Sequence, residues 1–304
     1  MRPNDFDYKS NYAKIGRYNL HYLDEGSGET ILLLHGNPTW CYLYRNIIRQ
    51  LRANYRCIAP DFLGFGLSDK PAEADYSLAK QAEMLNLLIK ALGLKDITLV
   101  GHDIGGIIGL KWAAGNKKMV KRLVILNTRG SVPAVFGEPA YRPPWPYILM
   151  WPLRVPGIGE LLVQGMNFLI KLVMPLSFGN KNSLKETGRG FLFPYQCWKD
   201  RKAQLDTVRQ IPILKSDPLY QMLLETGKNL SGWQVPVQII WGLKDPAFNP
   251  SIIDEFKRLF PNHSHTLRIP HAGHFVAEEE PEAVAGRIDQ FIRRYPGGGQ
   301  YEPH

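Results

Sequence analysis

The 304-residue sequence predicts an α/β domain: a mostly parallel sheet with helices on both faces, interrupted by a helical insertion. Three observations carry this reading. Short aliphatic runs are nearly unbroken by polar residues. Between them lie longer stretches in which apolar residues recur three and four apart. In the middle of the chain this alternation stops. Taken in order, Tyr18–Leu23 alternates with period two, as a one-sided antiparallel edge strand would. Ile31–Leu34, Tyr55–Ala59, Ile97–Val100 and Arg122–Leu126 read as strands buried on both sides, and Leu78–Ile89 reads as a helix. From Arg129 to Trp233 the chain is rich in Pro, Trp, Tyr and Leu and offers no strand. The rhythm then resumes with strand Val237–Ile240, a helix from Ser251, strand Thr266–Ile269 and a last helix from Pro281 to Arg294. Pro281 suits a first helical turn, where its missing N–H costs nothing. The expected division is a core of residues 1–128 and 234–304 carrying a helical cap, 129–233.

Composition narrows the class of function. Hydrophobic types make up 44% and charged types 21%, which excludes a disordered chain. Three cysteines, Cys41, Cys57 and Cys197, cannot form a disulfide scaffold. The N-terminus has no apolar stretch of secretory type, and the most apolar region, 143–178, is broken by Arg154, Glu160 and Lys171. A cytoplasmic protein without a transmembrane segment is the expectation. The net charge is +9, and the insertion alone holds 13 Lys+Arg against 7 Asp+Glu. A solvated helical exterior accounts for that surplus; peripheral contact of the basic cap with an anionic membrane surface is the alternative. No nucleic-acid motif accompanies it.

Chemistry concentrates in Leu99-Val100-Gly101-His102-Asp103-Ile104-Gly105-Gly106. A strand ends, a Gly-x-Asp-x-Gly turn follows, and an apolar helix begins. This is the pattern of a nucleophile elbow with aspartate where serine usually stands. Helix capping is the bland role for Asp103. A carboxylate attacks without prior deprotonation, so it suits displacement at a saturated carbon; a base is needed later, to activate water against the resulting ester. His274, in the tight loop His271-Ala272-Gly273-His274-Phe275, is the candidate base, preferred to its neighbour His271. Asp245, just past strand Val237–Ile240, would orient that imidazole. Its bland role is an Asx-type turn before Pro246. The rival position after Leu126 holds Asn127, which cannot take a charge. For stabilising an oxyanion, the Ile104 N–H and an N–H of Asn37 or Trp40, in His35-Gly36-Asn37-Pro38-Thr39-Trp40, are the candidates. Asp61–Lys70 is Gly-rich but lacks a phosphate-loop ending and reads as a supporting turn.

Together His35–Trp40, Asp61–Lys70, Gly101–Gly106, Gly242–Asp245 and Ala272–His274 resemble the haloalkane dehalogenase branch of the α/β-hydrolase superfamily, over residues 15–295. Leu153–Gly159, Phe193-Pro194-Tyr195, Arg201 and Arg209–Pro212 resemble the caps of the Asp-His-Asp members, which include the β-lactone decarboxylases of olefin biosynthesis. The resemblance implies an α/β-hydrolase fold with a mostly parallel eight-stranded sheet, catalytic Asp103, His274 and Asp245, and leaving-group contacts from Asn37, Ile104 and Trp40. It implies a small apolar organic substrate, no cofactor and no metal, and leaves the oligomeric state open. One position departs from the pattern. Dehalogenases usually carry a halide-binding Trp directly after the nucleophile, and here Ile104 has no side-chain donor. Losing one such donor costs roughly 2.7–4 kcal/mol, or about a hundred- to thousandfold in rate. A cap tryptophan (Trp145, Trp151 or Trp198) is a candidate replacement. Epoxide hydrolysis is an alternative that needs a cap tyrosine, Tyr141, Tyr147, Tyr195 or Tyr220, as acid. A β-lactone, whose leaving carboxylate stays tethered, demands less of the clamp. Ile158–Phe178 either lines an alkyl channel or packs within the cap. A catalytically silent binding protein is the non-enzyme alternative.

Overall fold

Residues 3–132, 135 and 150–297 are described by the computed structural model. Eight strands form one sheet: β1 (Asn11–Ile15), β2 (Tyr18–Glu25), β3 (Glu29–Leu34), β4 (Tyr55–Pro60), β5 (Ile97–Asp103), β6 (Val120–Thr128), β7 (Val237–Gly242) and β8 (Leu267–Ile269). Their order across the sheet is β1-β2-β4-β3-β5-β6-β7-β8. β1 and β2 run antiparallel, β2 meets β4 antiparallel, and the pairs from β4 to β8 are parallel. The edge expected at β2 lies one strand further out. β1, Asn-Tyr-Ala-Lys-Ile, escapes an aliphatic-run search because every second residue faces outward on an edge strand.

The central strands are buried along nearly their whole length, which in a parallel sheet means cover on both faces. Helices α1 (Arg45–Leu51), α2 (Leu78–Ala91) and α3 (Ile104–Gly115) belong to the N-terminal half of the core. Three helices of the insertion follow: α4 (Lys181–Leu192), α5 (Lys202–Arg209) and α6 (Pro218–Leu230). The core then closes with α7 (Ile252–Leu259) and α8 (Pro281–Arg294). α1 packs with α8, whereas α2, α3 and α6 pack with one another. α6 is thus as much a wall of the core as a part of the cap. Ser77 caps α2 by accepting from the Lys80 N–H, and Pro281 opens α8.

The rest of the described insertion contains no strand. It is made of short turns: 3-10 at Trp151–Arg154 and Trp198–Arg201, π at Glu160–Gly165 and Leu169–Val173, and a single α-helical turn at Met174–Ser177. Leu153, Val163, Leu169, Leu205 and Val208 form a small hydrophobic cluster of their own there. Its basic residues include structural ones. Arg154 and Arg201 donate to the carbonyls of Ile211 and Gln164, and Arg209 forks onto Glu160 at 2.7 and 2.9 Å. Between Ile158 and Phe178, Ile170 and Phe178 pack into the main core, Val173 and Met174 face a cavity, and Leu161, Leu172 and Leu176 are exposed. No described helix is long and apolar enough to cross a membrane.

Candidate active site

Asp103 ends β5 and precedes the first residue of α3, with φ 51° and ψ −127°, a left-handed conformation that non-glycine residues rarely adopt. The turn is cramped. A Cβ on Gly101 would lie 2.6 Å from the Gly106 Cα, and one on Gly36 only 2.5 Å from the Asp103 Cβ. Although Asp103 occupies the N-cap position of α3, its side chain makes no capping bond. Its Oδ1 accepts the Asn37 N–H at 2.7 Å, and the Ile104 N–H also bonds the carboxylate. Burial pushes the Asp103 pKa up against the pull of His274 and those two amides.

His274 follows β8 in a loop tied down at several points. Its backbone N–H donates to Ser177 O at 2.9 Å, and its carbonyl lies 2.8 Å from His102 Nε2. The preceding Gly273 N–H donates to Glu279 Oε1 at 2.9 Å; the other Glu279 oxygen accepts the Asn180 N–H at the start of α4. The imidazole is held between two carboxylates. Nδ1 is 2.9 Å from Asp245 Oδ2, and Nε2 is 3.8 Å from Asp103 Oδ2. The first contact fixes the tautomer with Nδ1–H toward Asp245 and leaves the Nε2 lone pair facing Asp103. Burial opposes the imidazolium, but Asp245, Asp103 and Glu279 outweigh it and raise the His274 pKa. His271 is exposed and paired with Glu280 at 2.6 Å, outside this arrangement.

Asp245 fills both roles open to it. Oδ1 makes the Asx-type turn, accepting the N–H groups of Ala247 (2.7 Å) and Phe248 (3.1 Å), while Oδ2 faces His274. Oδ2 also accepts from Asn127 Nδ2 at 2.8 Å, and Asn127 Oδ1 accepts the Gly242 N–H. Asn127, unable to carry charge itself, instead positions the residue that does. It lies near the end of β6 with a φ of 30°.

The remaining expected contacts separate. Ile104 lines a cavity of about 130 Å³ that also reaches Asn37, Asp103 and His274, between core residues such as Ile107 and Phe248 and cap residues such as Met174, Val208 and Leu219. Asn37 also lines it, and its side-chain Nδ2 is used elsewhere, donating to Gln204 O on α5 at 3.1 Å. Trp40 is fully buried outside the cavity wall. Its indole N–H donates to Gly190 O at 3.1 Å, and its ring stacks on Tyr42. Trp151 and Trp198 are 55% and 51% exposed and do not line the cavity. Tyr195 bonds Thr39 O and the Gly66 N–H, joining the cap to two core loops, and neither it nor Tyr220 lines the cavity. Trp145, Tyr141 and Tyr147 lie outside the described residues.

Among the described residues, one group approaches metal-ligand spacing: His21, Cys41 and Asp61, buried, with ligand atoms within 4.8 Å of one another. Its capacity is already used. Asp61 accepts from the Cys41 N–H, the Leu67 N–H and His21 Nδ1, and Ser10 lies 3.0 Å from His21 Nε2. This network fixes the turn Asp61–Lys70 beneath the site.

Residues 29–166 and 174–281 match the family described as alpha/beta hydrolase fold. Over 289 residues the chain is 34% identical to the cis-3-alkyl-4-alkyloxetan-2-one decarboxylase of Xanthomonas campestris pv. campestris, covering 91% of this chain and 93% of that one. It is 32% identical over 295 residues to haloalkane dehalogenase 2 of Mycobacterium bovis, covering 94% and 96%. In shape it resembles the crystal structure of a haloalkane dehalogenase from Agrobacterium tumefaciens C58, with a TM-score of 0.83, 27% identity, and coverage of 94% of this chain and 97% of that one.

Proposed function

The chain belongs to the α/β-hydrolase fold family, and from that premise we propose a cofactor-free, haloalkane dehalogenase-like hydrolase in which Asp103 attacks a saturated carbon and forms an alkyl ester. The observation that carries this reading is the unequal treatment of the two Asp103 oxygens. Oδ1 accepts the Asn37 N–H at 2.7 Å, whereas Oδ2 lies 3.8 Å from His274 Nε2. Oδ2 is the nucleophile; its lone pair forms the new O–C bond as the leaving group departs with the old bonding pair. Oδ1 becomes the ester carbonyl. Neutral His274 then takes a proton from water, which adds to the Asp103 carboxyl carbon, and the negative charge develops on Oδ1, where the Asn37 N–H already points.

Charge changes favour this sequence. Free Asp103 is one of the anions that raise the His274 pKa. Esterification neutralises it, so the imidazole gives up its proton more readily at the step that requires a base.

A second reading, opening of a dialkyl β-lactone, draws support from Ile104, whose side chain offers a halide no N–H, and from the 34% identity to the oxetanone decarboxylase. Epoxide opening draws none from the described cap tyrosines.

A His274→Phe variant incubated with 1-bromoalkanes and with a cis-dialkyl β-lactone tests the mechanism. The expected result is one alkyl adduct per chain in the intact mass, located on Asp103. Released halide or carbon dioxide in the wild type separates the two substrate classes. No adduct from any substrate that the wild type consumes would defeat the proposal.

A further inference from the structure

Nine of the eleven large apolar side chains exposed among the described residues lie between Trp151 and Leu214; the other two are Tyr12 and Leu87. Single exposed leucines are ordinary, but such a concentration on one part of a surface marks a face that meets something other than water. The π turns carry its centre. Val163 and Leu169 pack inward on the small cap cluster, while Leu161 and Met166 stay outside, 57% and 58% exposed. Trp198 joins them from the neighbouring 3-10 turn: a Cβ on Gly165 would lie 3.2 Å from its ring and 3.6 Å from Leu161 Cδ1. Leu172 and Leu176, four residues apart, are exposed on a stretch whose Val173, Met174 and Ser177 line the cavity. That stretch is therefore apolar on two sides, one toward the cavity and one toward solvent.

Charge selects the partner. Between Trp151 and Leu214 the three described acids are already used: Glu160 by Arg209, Asp200 by the Cys197 N–H and Asp206 by Lys202. Lys171, beside Leu172, and Lys199, beside Trp198, are exposed and pair with no described carboxylate. Leucine and tryptophan interleaved with lysine match the boundary of an anionic bilayer, where the apolar groups enter the acyl region and the ammonium groups stay with phosphate. A second copy of the chain matches less well, because facing patches would set lysines against lysines. We propose that this outer face of the cap docks on an anionic phospholipid surface. The docking stands apart from the Asp103 chemistry. Its consequence for substrate rests on the cavity reading above: the lipid-facing side and the cavity wall belong to one stretch, which suits an alkyl substrate dissolved in the bilayer.

Co-sedimentation of the full chain with phosphatidylcholine vesicles, with and without phosphatidylglycerol, tests the docking. The wild type should bind the anionic vesicles several-fold better than the neutral ones, and added salt should weaken that binding. The double variants Leu172→Ser/Leu176→Ser and Lys171→Glu/Lys199→Glu should each weaken it by about tenfold or more. Both should keep the wild-type melting temperature and the wild-type turnover of a short 1-bromoalkane in solution, since all four side chains face solvent. With a long-chain substrate carried in the same anionic vesicles, both should fall behind the wild type. Sedimentation reads docking whether or not any substrate is consumed, so a failure of the Asp103 mechanism would leave this result intact. Wild-type protein that stays in solution with both vesicles, or variants that bind as well as it does, would overturn the proposal. So would a concentration-dependent dimer that the leucine variant abolishes in the absence of vesicle binding, which would assign the face to a second copy. Equal turnover of vesicle-borne substrate by wild type and by variants that no longer sediment would overturn the link to substrate.

Discussion

In the core, the groups around the cavity sit at or just past the ends of strands fixed by ladder hydrogen bonds; in the cap, they sit on α5, α6 and short turns stitched together by side chains. Asp103 and Asp245 adjoin the C-terminal ends of β5 and β7, and His274 follows β8 by a few residues. Opposite them, α5 is tied to its neighbours by the Arg209–Glu160 fork, by Arg209 Nε on Leu153 O (3.1 Å) and by Arg201 on the Gln164 carbonyl. A parallel sheet opens all its strand ends onto one edge, so a few residues on different strands meet without further help. The cap has no such device and depends on specific long side chains. The contrast teaches that the two sides of the cavity are built to different tolerances: Asp103, Asp245 and His274 rest on the sheet, whereas the facing wall rests on individual side-chain bonds.

The largest effect that sharpens this contrast is on the core. Asp103→Ala should lower turnover by on the order of 10⁴-fold or more, since the step it performs has no substitute; residual activity above that level, measured with any substrate of the wild type, would break the assignment. Next is pH. The base works only when neutral, so single-turnover hydrolysis of the ester should fall about tenfold per pH unit below the His274 pKa in the ester. That midpoint should lie below the ring pKa of the free enzyme, measured by NMR titration, because Asp103 no longer contributes its charge. Coincident midpoints would deny that the two groups are coupled. The smallest effect is in the cap. Arg209 holds the Glu160 carboxyl down at about 2, so the fork remains charged through the acid range. Arg209→Met should raise KM several-fold and change the rate of adduct hydrolysis little, as expected if the cap sets access and the core the chemistry.

The same contrast explains what could be read without coordinates. Asp103, Asp245 and His274 each follow an aliphatic run with helix or turn signals behind it, and chain order then suggests their meeting. Asn127, Glu279 and Gln204 gave no such signal. Asn127 bonds Asp245 and Gly242, Glu279 bonds Asn180 and Gly273, and Gln204 takes the Asn37 amide on its backbone carbonyl; nothing local in the sequence marks these residues off from solvated ones. Trp40 shows the converse. Its place in a loop with His, Gly and Pro made it a candidate donor, yet its indole is used on Gly190 O. The π turns at Glu160–Gly165 and Leu169–Val173 follow neither helical nor strand periodicity, so the course of this stretch could not be drawn from the sequence.

The backbone clasp on Asp103 Oδ1 has a consequence for the bookkeeping of oxygen atoms. In the proposed hydrolytic cycle, a carboxylate pinned at one end does not spin between turnovers, so the oxygen delivered by solvent comes to rest at the unpinned end. There it becomes the attacking atom of the next. In isotopically heavy water the first molecule of alcohol would leave unlabelled, and every later one would carry the atom that its predecessor left behind.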